Sequence, residues 1–201
     1  MPTAREIVEH KPTDPPPGES PFLPGKEPQP GVEVVPYDPR WPEAYRLLEG
    51  CVRVALGDRV LAIDHVGSTA VPGLAAKPVI DLTLVVADSA DENAWASDLE
   101  AAGFDLVIRE PWWYEHRALV HRDPRANLHV YGPEAAEPVR HRMFRDWLIA
   151  HPEDLAQYQK AKLAAAEAAR AEDEHVMQYN ARKEQVIRQI YDRAFRDAGL
   201  L

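Results

Sequence analysis

The residues best suited to chemistry lie in one short stretch that runs from a glycine to a carboxylate. Gly67, Ser68 and Thr69 follow an apolar segment, Lys77 comes next, and Asp81 ends the series. Gly67 lets a phosphate approach the backbone, while the hydroxyl groups and the amides of a following helix start can bind its oxygens. Lys77 can neutralise the charge. The stretch therefore predicts a phosphate-binding site.

Asp81 lies between Ile80 and Leu82 in an otherwise apolar strand. A carboxylate is costly to bury alone, so a cation or a hydrogen-bond network is expected beside it. Two simpler interpretations remain open, because Gly-Ser-Thr is also a common turn and a strand aspartate is often a structural hydrogen-bond acceptor. The order and spacing of the whole stretch favour a functional site.

A second group of polar residues surrounds Trp112 and Trp113. Guanidinium groups bind phosphate in a bidentate way and aromatic rings stack on bases, so the group could hold a nucleotide. The alternative is a strand pair with a solvated polar face and inward-packed tryptophans. We assign ligand contacts only to Glu115 and Arg117. The group consists of Arg109, Glu115, His116, Arg117, His121 and Arg122.

Two helical segments add further candidates for ligand contacts. Arg145 is expected to reach sideways from a buried stripe of Phe144 and Trp147, and a pair with its neighbour Asp146 is disfavoured because adjacent helical residues do not face each other. Tyr158 and Lys162 are four residues apart on one helix face and could close over the pocket as a lid. An amphipathic helix with a snorkelling lysine explains them equally.

Apolar periodicity predicts an α/β (α+β) domain with a helical C-terminal layer. Alternation along the last strand places His129 on the face opposite to Leu128 and Val130. In the last helix, an apolar stripe that includes Lys183 indicates core packing. The predicted strands are 32–35, 61–66, 79–86, 104–109, 117–121 and 127–131, and the predicted helices are 42–56, 92–102, 139–150, 152–172 and 176–198.

The chain has 201 residues, which is enough for one domain with appendages. Nine of its nineteen prolines lie in residues 1–31, a composition that cannot form a core. We predict a flexible or extended Pro-rich arm over 1–31 and a folded domain over 32–201.

Composition also limits the partners and the compartment. The net charge of −10 disfavours bulk nucleic acid but leaves a small nucleotide possible. The single cysteine, Cys51, excludes an internal disulfide and a Cys-based zinc site, and we interpret it as a core residue. The sequence offers neither an apolar run long enough to span a membrane nor a secretory signal, so we expect a cytoplasmic protein.

The run from His65 to Asp81 resembles the signature of the GrpB family, and the resemblance extends over residues 32 to about 195. Later segments match the family in the same order: Asn127-Leu128-His129-Val130, Phe144-Arg145-Asp146-Trp147-Leu148, His151-Pro152 and Tyr158 to Leu163. The family is assigned to the nucleotidyltransferase superfamily, so the resemblance implies a nucleotidyltransferase-like mixed sheet with flanking helices. That superfamily uses two magnesium ions for nucleotidyl transfer.

Carried over by residue, Gly67 and Ser68 match the phosphate-binding pair and Asp81 matches the first carboxylate ligand of Mg²⁺. Thr83 stands where the second acid belongs, and the later strand offers Asn127 and His129 in place of a third. The resemblance implies a protein that binds a nucleotide or phosphorylated small molecule, in particular a divergent nucleotidyltransferase with Asp81, Ser68 and His129 as catalytic residues. The alternative is a non-catalytic accessory module linked to coenzyme A metabolism.

Overall fold

A five-stranded mixed sheet forms the centre of the protein. The structure, a computed structural model, describes residues 1–27, 33–172 and 176–201. The strands lie in the order β1-β2-β5-β4-β3, and only β2 and β5 are parallel among these five. Their bounds are β1 Ala62–Val66, β2 Ile80–Val85, β3 Phe104–Glu110, β4 His116–Arg122 and β5 Arg125–Tyr131.

One face of the sheet is apolar and carries the main core. Leu82 and Leu84 of β2 and Leu128 of β5 are fully buried there. They pack under the helices α2 (Trp41–Leu56) and α3 (Ala96–Ala101). Each leucine removed from water contributes roughly 1.5–3 kcal/mol to folding. The alternation of apolar and polar residues along each strand therefore determines which face of the strand turns towards the core.

The opposite face is polar and lies under three C-terminal helices, α4 (Glu137–Ala150), α5 (Pro152–Ala171) and α6 (Val176–Asp197). The Thr83 hydroxyl and Nδ1 of His141 are 3.0 Å apart, and Arg142 donates to Asp64 at 3.1 Å. These contacts dock α4 on the strands through polar groups. The predicted α/β architecture, with its mixed sheet, flanking helices and helical C-terminal layer, is confirmed.

The segment predicted as a Pro-rich arm contacts the domain at several points. It contains a short helix, α1 (Ala4–Val8), whose backbone carbonyls accept hydrogen bonds from the buried Arg140. Further on, the amide of Leu23 donates to the carbonyl of Val107 beside β3. The predicted boundary at 31/32 and the first residue of the predicted strand 32–35 lie outside the described residues. Val35 of that strand pairs with Ala76.

Two predicted helix starts differ from the structure. The helix expected over 92–102 is a 3-10 turn, Glu92–Ala94, followed by only six helical residues in α3, because the fully buried Trp95 adopts a non-helical backbone between them. After Gly67 the chain forms a single 3-10 turn, Ser68–Ala70. Pro72 and the left-handed Gly73 follow at once and stop any helix there.

Candidate functional site

Asp81 and Gly67 lie in direct contact at the centre of the candidate site. Asp81 is the second residue of β2, and Gly67 is the first residue after the neighbouring strand β1. A Cβ atom at Gly67 would lie 2.5 Å from Oδ2 of Asp81, and the glycine has a φ of +68°. Only glycine satisfies both conditions without strain. Gly67 was predicted to let a phosphate approach the backbone. In the structure, the group that approaches this backbone is the carboxylate of Asp81.

The parallel pairing of β2 and β5 gives Asp81 its nearest polar partner. Asp81 is in register with Asn127, and the Asn127 amide donates to Oδ1 of Asp81 at 2.9 Å. The two side chains share the polar face of the sheet. This hydrogen bond holds one carboxylate oxygen in place, and the other oxygen faces Gly67.

The two hydroxyl residues after Gly67 have different surroundings. Ser68 is partly exposed and lies beside the buried Tyr158 hydroxyl group. Thr69 is 1% exposed, and its hydroxyl lies 3.0 Å from Nε2 of His65. Ser68 is therefore open to a ligand, whereas Thr69 is engaged in the local structure.

Three lysines from three different segments converge on Asp81. Lys77 lies in the connection to β2, Lys162 on α5 and Lys183 on α6. Lys162 is 2% exposed, and the amino groups of Lys77 and Lys183 both contact the Tyr179 ring, with Nζ 5.8 and 4.4 Å from the ring centroid. The pocket therefore has positively charged groups on several sides of one carboxylate.

The charges in this lysine cluster strongly affect one another. Burial, followed by the charge of Lys183, lowers the pKa of Lys162 to about 6, while Asp81 opposes the change. Burial and the charge of Lys77 lower the pKa of Lys183 to about 8. Burial likewise lowers the pKa of Lys77. One carboxylate is not enough to balance three ammonium groups, so the cluster favours an additional anion.

This donor set does not fit a magnesium site. Mg²⁺ requires oxygen ligands, usually from more than one carboxylate, and Asp81 stands among three lysines with one oxygen bonded to Asn127. Thr83 is buried and bonded to His141. Among the described residues, there is no group of three or more His, Cys, Asp or Glu residues placed to hold a metal ion.

A cavity of about 160 Å³ adjoins Ser68. Its wall is mostly apolar and aromatic, with Gly67, Ser68 and His141 at its polar end. A molecule whose phosphate lies near the lysines could therefore bury an apolar part there. The remaining lining residues are Phe144, Leu148, Tyr158, Ile187 and Tyr191.

A row of hydrogen-bonded groups crosses the polar face of the sheet. Oε2 of Glu110 lies 2.6 Å from Nδ1 of His116, and Nε2 of His116 lies 3.0 Å from Nδ1 of His129. His129 is two residues from Asn127, the partner of Asp81, on the same face of β5. The row therefore joins β3, β4 and β5 and ends beside the lysine cluster.

A family model described as GrpB protein matches residues 31–193. The UPF0157 protein BH1888 of Halalkalibacterium halodurans is 42% identical over 163 residues, which cover 81% of this chain and 82% of that protein. The chain belongs to the GrpB family. The crystal structure of conserved protein GrpB from Enterococcus faecalis matches at 26% identity with a TM-score of 0.72, covering 83% of this chain and 99% of that one.

Other members of the family are parts of larger proteins. The dephospho-CoA kinase of Mycobacterium tuberculosis is 31% identical over 192 residues, which cover 82% of this chain but 46% of that kinase. This chain therefore corresponds to about half the length of that protein. Within the described residues, none of the helices is both long and apolar enough to cross a membrane.

The structure of this GrpB chain brings most of the predicted residues together. Two of these residues, Lys77 and Lys162, belong to the lysine cluster itself. Around it lie Gly67, Ser68, Asp81 and Tyr158, and His129 lies next to it. Arg145 lies nearby but is engaged elsewhere. It donates to the carbonyl of His65 at 2.8 Å and to Asp146 at 2.7 Å, so the Arg145–Asp146 pair that we disfavoured is present. The long guanidinium side chain reaches its neighbour by bending along the helix surface.

Glu115 and Arg117 lie away from this cluster. Arg117 pairs with Val130 across the sheet, which places its side chain on the face opposite to His129. It donates to Glu92 at 2.7 Å and to Glu115 at 3.3 Å. Glu92 also binds Arg109, so these residues form an ion-pair group on the face of the sheet that carries α2 and α3.

Two parts of the site were missed at the level of sequence. Lys183 was assigned to a core stripe, although a lysine inside an apolar helical stripe is itself a signal of a buried charge. Glu110 and His116 were not assigned a role with His129. The missing signal was their cross-strand pairing, in which Glu110 is in register with His116.

Proposed function

We propose that this pocket binds a phosphorylated small molecule, with the phosphate between Lys77, Lys162 and Lys183 and beside Ser68. The observation that carries the proposal is the convergence of three lysines on one carboxylate. When all three are protonated, three positive charges and one negative charge leave a surplus of two. A phosphate monoester carries about two negative charges at neutral pH, so it balances the pocket.

The lowered lysine pKa values support the same proposal. An unliganded pocket keeps its ammonium groups close together in a region poor in water, which favours the neutral amine of Lys162. A bound phosphate reverses this preference by attracting positive charge. Binding near pH 7 should therefore take up a proton, chiefly at Lys162, and should weaken as the pH rises above the pKa of Lys183.

Nucleotide binding and nucleotidyl transfer are the finer part of the proposal. They are supported by the contact of Gly67 with Asp81, by the position of Ser68, and by the cavity that could take the nucleoside part. The family resemblance adds Mg²⁺ to this expectation, although the donor set at Asp81 does not fit it. We therefore expect the phosphate itself to bind without a divalent ion.

A second candidate is a non-catalytic module that serves coenzyme A metabolism. Relatives named dephospho-CoA kinase contain a matching region in less than half of their length. The kinase phosphate-binding loop, Gly-x-x-x-x-Gly-Lys-Ser/Thr, does not occur in these 201 residues. This candidate predicts binding of coenzyme A precursors without release of pyrophosphate from any nucleoside triphosphate.

The decisive experiment compares the wild type with Lys162→Met. Inorganic phosphate, pyrophosphate, nucleoside triphosphates and dephospho-coenzyme A are added to each protein with and without Mg²⁺, and thermal unfolding and calorimetric binding are measured. A ligand at about a hundred times its Kd should stabilise the wild type by about 2.7 kcal/mol. The variant should lose most of this stabilisation because it lacks the most buried ammonium group.

Without ligand, Lys162→Met should be more stable than the wild type. The folded pKa of Lys162 lies below its usual 10.5, so its protonation opposes folding at every pH below about 10.5, increasingly so down to about pH 6. Removal of the amino group should therefore raise the free energy of unfolding at pH 7 by at least about 1 kcal/mol. Lys160→Met is the matched control, because Lys160 is exposed on the same helix. A wild type that no phosphate compound stabilises, or a variant that still binds normally, contradicts the proposal.

A further inference from the structure

Glu110, His116 and His129 form a continuous hydrogen-bonded row from β3 to β5. The carboxylate oxygen and Nδ1 of His116 are 2.6 Å apart, and the two imidazoles are joined at 3.0 Å. Their rings are stacked, with centroids 5.2 Å apart. His116 is 3% exposed, while His129 is partly exposed. The row is therefore buried at its middle, His116, whereas its two ends, Glu110 and His129, are partly exposed.

The chemistry of these groups fixes the direction of every hydrogen bond. An ionised Glu110 can only accept, so Nδ1 of His116 must carry the proton. A neutral His116 then accepts at Nε2 from Nδ1–H of His129. Nε2 of His129 is left with a free lone pair, and the hydrogen bonds among the described residues leave this nitrogen unused. His129 is thus held in the tautomer of a base.

We propose that Glu110, His116 and His129 form a proton relay that serves a hydroxyl group or water bound beside the phosphate, with Nε2 of His129 as the accepting nitrogen. The O–H bond breaks, its electron pair stays on oxygen, and the proton moves to Nε2. Nδ1 of His129 passes its proton to Nε2 of His116, and Nδ1 of His116 passes its proton to Glu110. Both imidazoles end neutral, and Glu110 becomes a carboxylic acid.

The same steps in reverse give a proton back to a leaving oxygen. With Glu110 protonated, the row is inverted, and Nε2 of His129 carries a proton that it can donate. The relay therefore supplies a base in one state and an acid in the other without creating an isolated buried charge. In this role His129 is the residue that touches the substrate, and Glu110 and His116 are positioning residues that act through it.

The surroundings of the row support this distribution of protons. Burial lowers the pKa of His116 to about 3 and that of His129 to about 4, and it raises the pKa of Glu110. An extra proton is therefore better held on the carboxyl group than on an imidazole. The other charged or titratable groups that face the row are Asp81 from β2, Tyr131 from β5, whose ring stacks on that of His116, and His141 from α4. Arg117 lies on the opposite face of β4, and its charge also lowers the pKa of His116.

The relay ends at the proposed phosphate site. His129 and Asn127 are alternate residues of β5, and alternate residues on a strand lie roughly 7 Å apart on one face. The Asn127 amide holds Asp81, whose charge acts on His129. The inference rests on the proposed function for its substrate, an O–H group near a bound phosphate. It goes beyond that function by assigning proton transfer to the site, because a module that only binds its ligand would not need a proton relay.

The hydrogen-bond order can be measured in the unliganded protein. Histidine labelled with nitrogen-15 gives each ring tautomer through long-range proton–nitrogen correlations, and His116→Gln and His129→Gln assign the signals. At neutral pH both residues should carry their proton on Nδ1. On acidification both should change to the Nε2–H tautomer at one shared midpoint above pH 4.5, before either becomes an imidazolium.

Glu110→Gln should abolish the shared midpoint, because it removes the group that titrates. Asp105→Asn, a carboxylate on the same strand with 46% exposure, is the matched control and should leave the midpoint unchanged. Independent titration of the two histidines, or His129 with its proton on Nε2 at neutral pH in the wild type, would overturn the relay. The wild-type titration decides this even if a variant does not fold.

Inorganic phosphate added to the same labelled protein tests the site separately. A shared tautomer change without any response to phosphate contradicts the proposed function and leaves the relay standing. A response to phosphate with independently titrating histidines contradicts the relay and leaves the phosphate site standing. Both results together, with the His129 signals perturbed by phosphate, support the relay at that site.

Discussion

At the scale of single residues, the site depends on how closely Gly67 approaches Asp81. The absence of a side chain at Gly67 leaves room for the Asp81 carboxylate, and Asn127 holds the carboxylate from the other side. Asp81 is thereby directed into the lysine cluster and cannot swing away. The same glycine has a left-handed backbone, which places Ser68 at the mouth of the cavity.

Gly67→Ala should therefore damage the site and the fold together. The new Cβ would lie 2.5 Å from Oδ2 of Asp81 at a φ of +68°, so the strand connection or the carboxylate must move. We expect the free energy of unfolding to fall by about 1–3 kcal/mol, measured in urea, together with loss of phosphate binding.

Gly50→Ala is the control for this prediction. Gly50 lies in α2 with open space around it, so the alanine should stabilise the protein by roughly 0.5–1 kcal/mol. If Gly67→Ala behaves like Gly50→Ala, the close contact with Asp81 has no energetic importance.

At the scale of elements, helix α4 connects the N-terminal segment to the sheet. Arg140 of α4 is 1% exposed and donates to the backbone carbonyls of Ile7 and Glu9 at 2.7 Å and of Glu6 at 2.8 Å. Carbonyls at a helix C-terminus lack partners within the helix, so the guanidinium group satisfies several of them at once. A five-residue helix that would be unstable alone is held against the domain.

Replacing this guanidinium group should release α1. In Arg140→Met we expect the amides of α1 to lose their protection in hydrogen exchange and the free energy of unfolding to fall by about 3 kcal/mol, since several charge-assisted hydrogen bonds disappear. Arg5→Met is the control, because Arg5 is exposed and makes only a surface ion pair with Glu9. Unchanged exchange of α1 in Arg140→Met would show that the prolines or other contacts hold the segment.

At the scale of the whole molecule, an acidic chain surrounds a positively charged pocket. The net charge is −10, yet Lys77, Lys162 and Lys183 are gathered at one point. The overall charge repels long polyanions, whereas a small anion needs only the local field of the pocket. Size and charge together therefore favour the proposed small phosphorylated molecule over a nucleic acid.

Three histidines with lowered pKa values make the stability of the whole domain depend on pH. Burial lowers the pKa values of His116, His129 and His141 to about 3, 4 and 3 from the usual 6.5, so the unfolded state binds more protons below about pH 6.5. Stability from these groups is complete above pH 6.5 and is lost as the pH falls, by up to about 1.4 kcal/mol per pH unit for each.

Urea midpoints at pH 7.5, 6.5, 5.5 and 5.0 measure this loss. The raised pKa values of Glu110 and Glu137 act in the opposite direction near the acid end, because their folded forms bind protons more readily. Lys162, with its pKa lowered to about 6, already makes the unfolded state bind more protons above pH 6.5. Stability should therefore decline slowly from pH 7.5, fall more steeply below pH 6.5, and decline less at the acid end. A midpoint that stays constant between pH 7.5 and 5.5 would mean that these histidines are not buried in the neutral form.

Local patterns in the sequence determined the strands and their inward faces. Alternation around Leu128 predicted that His129 would lie on the other face, because side chains alternate along any strand. The Gly67–Ser68 pair and the strand carboxylate also predicted the centre of the candidate site. These features depend on neighbours a few residues apart, so they can be seen before the chain is folded.

Contacts between distant segments decided the rest. Lys183 lies about a hundred residues after Asp81, and only the packing of α6 against α4 and α5 brings the two together. The order Glu110–His116–His129 depends on the register of three strands. Register and helix packing follow from how the whole core fits together, so the electrostatic character of the pocket and the hydrogen-bonded row of the proposed relay emerge only in the tertiary structure.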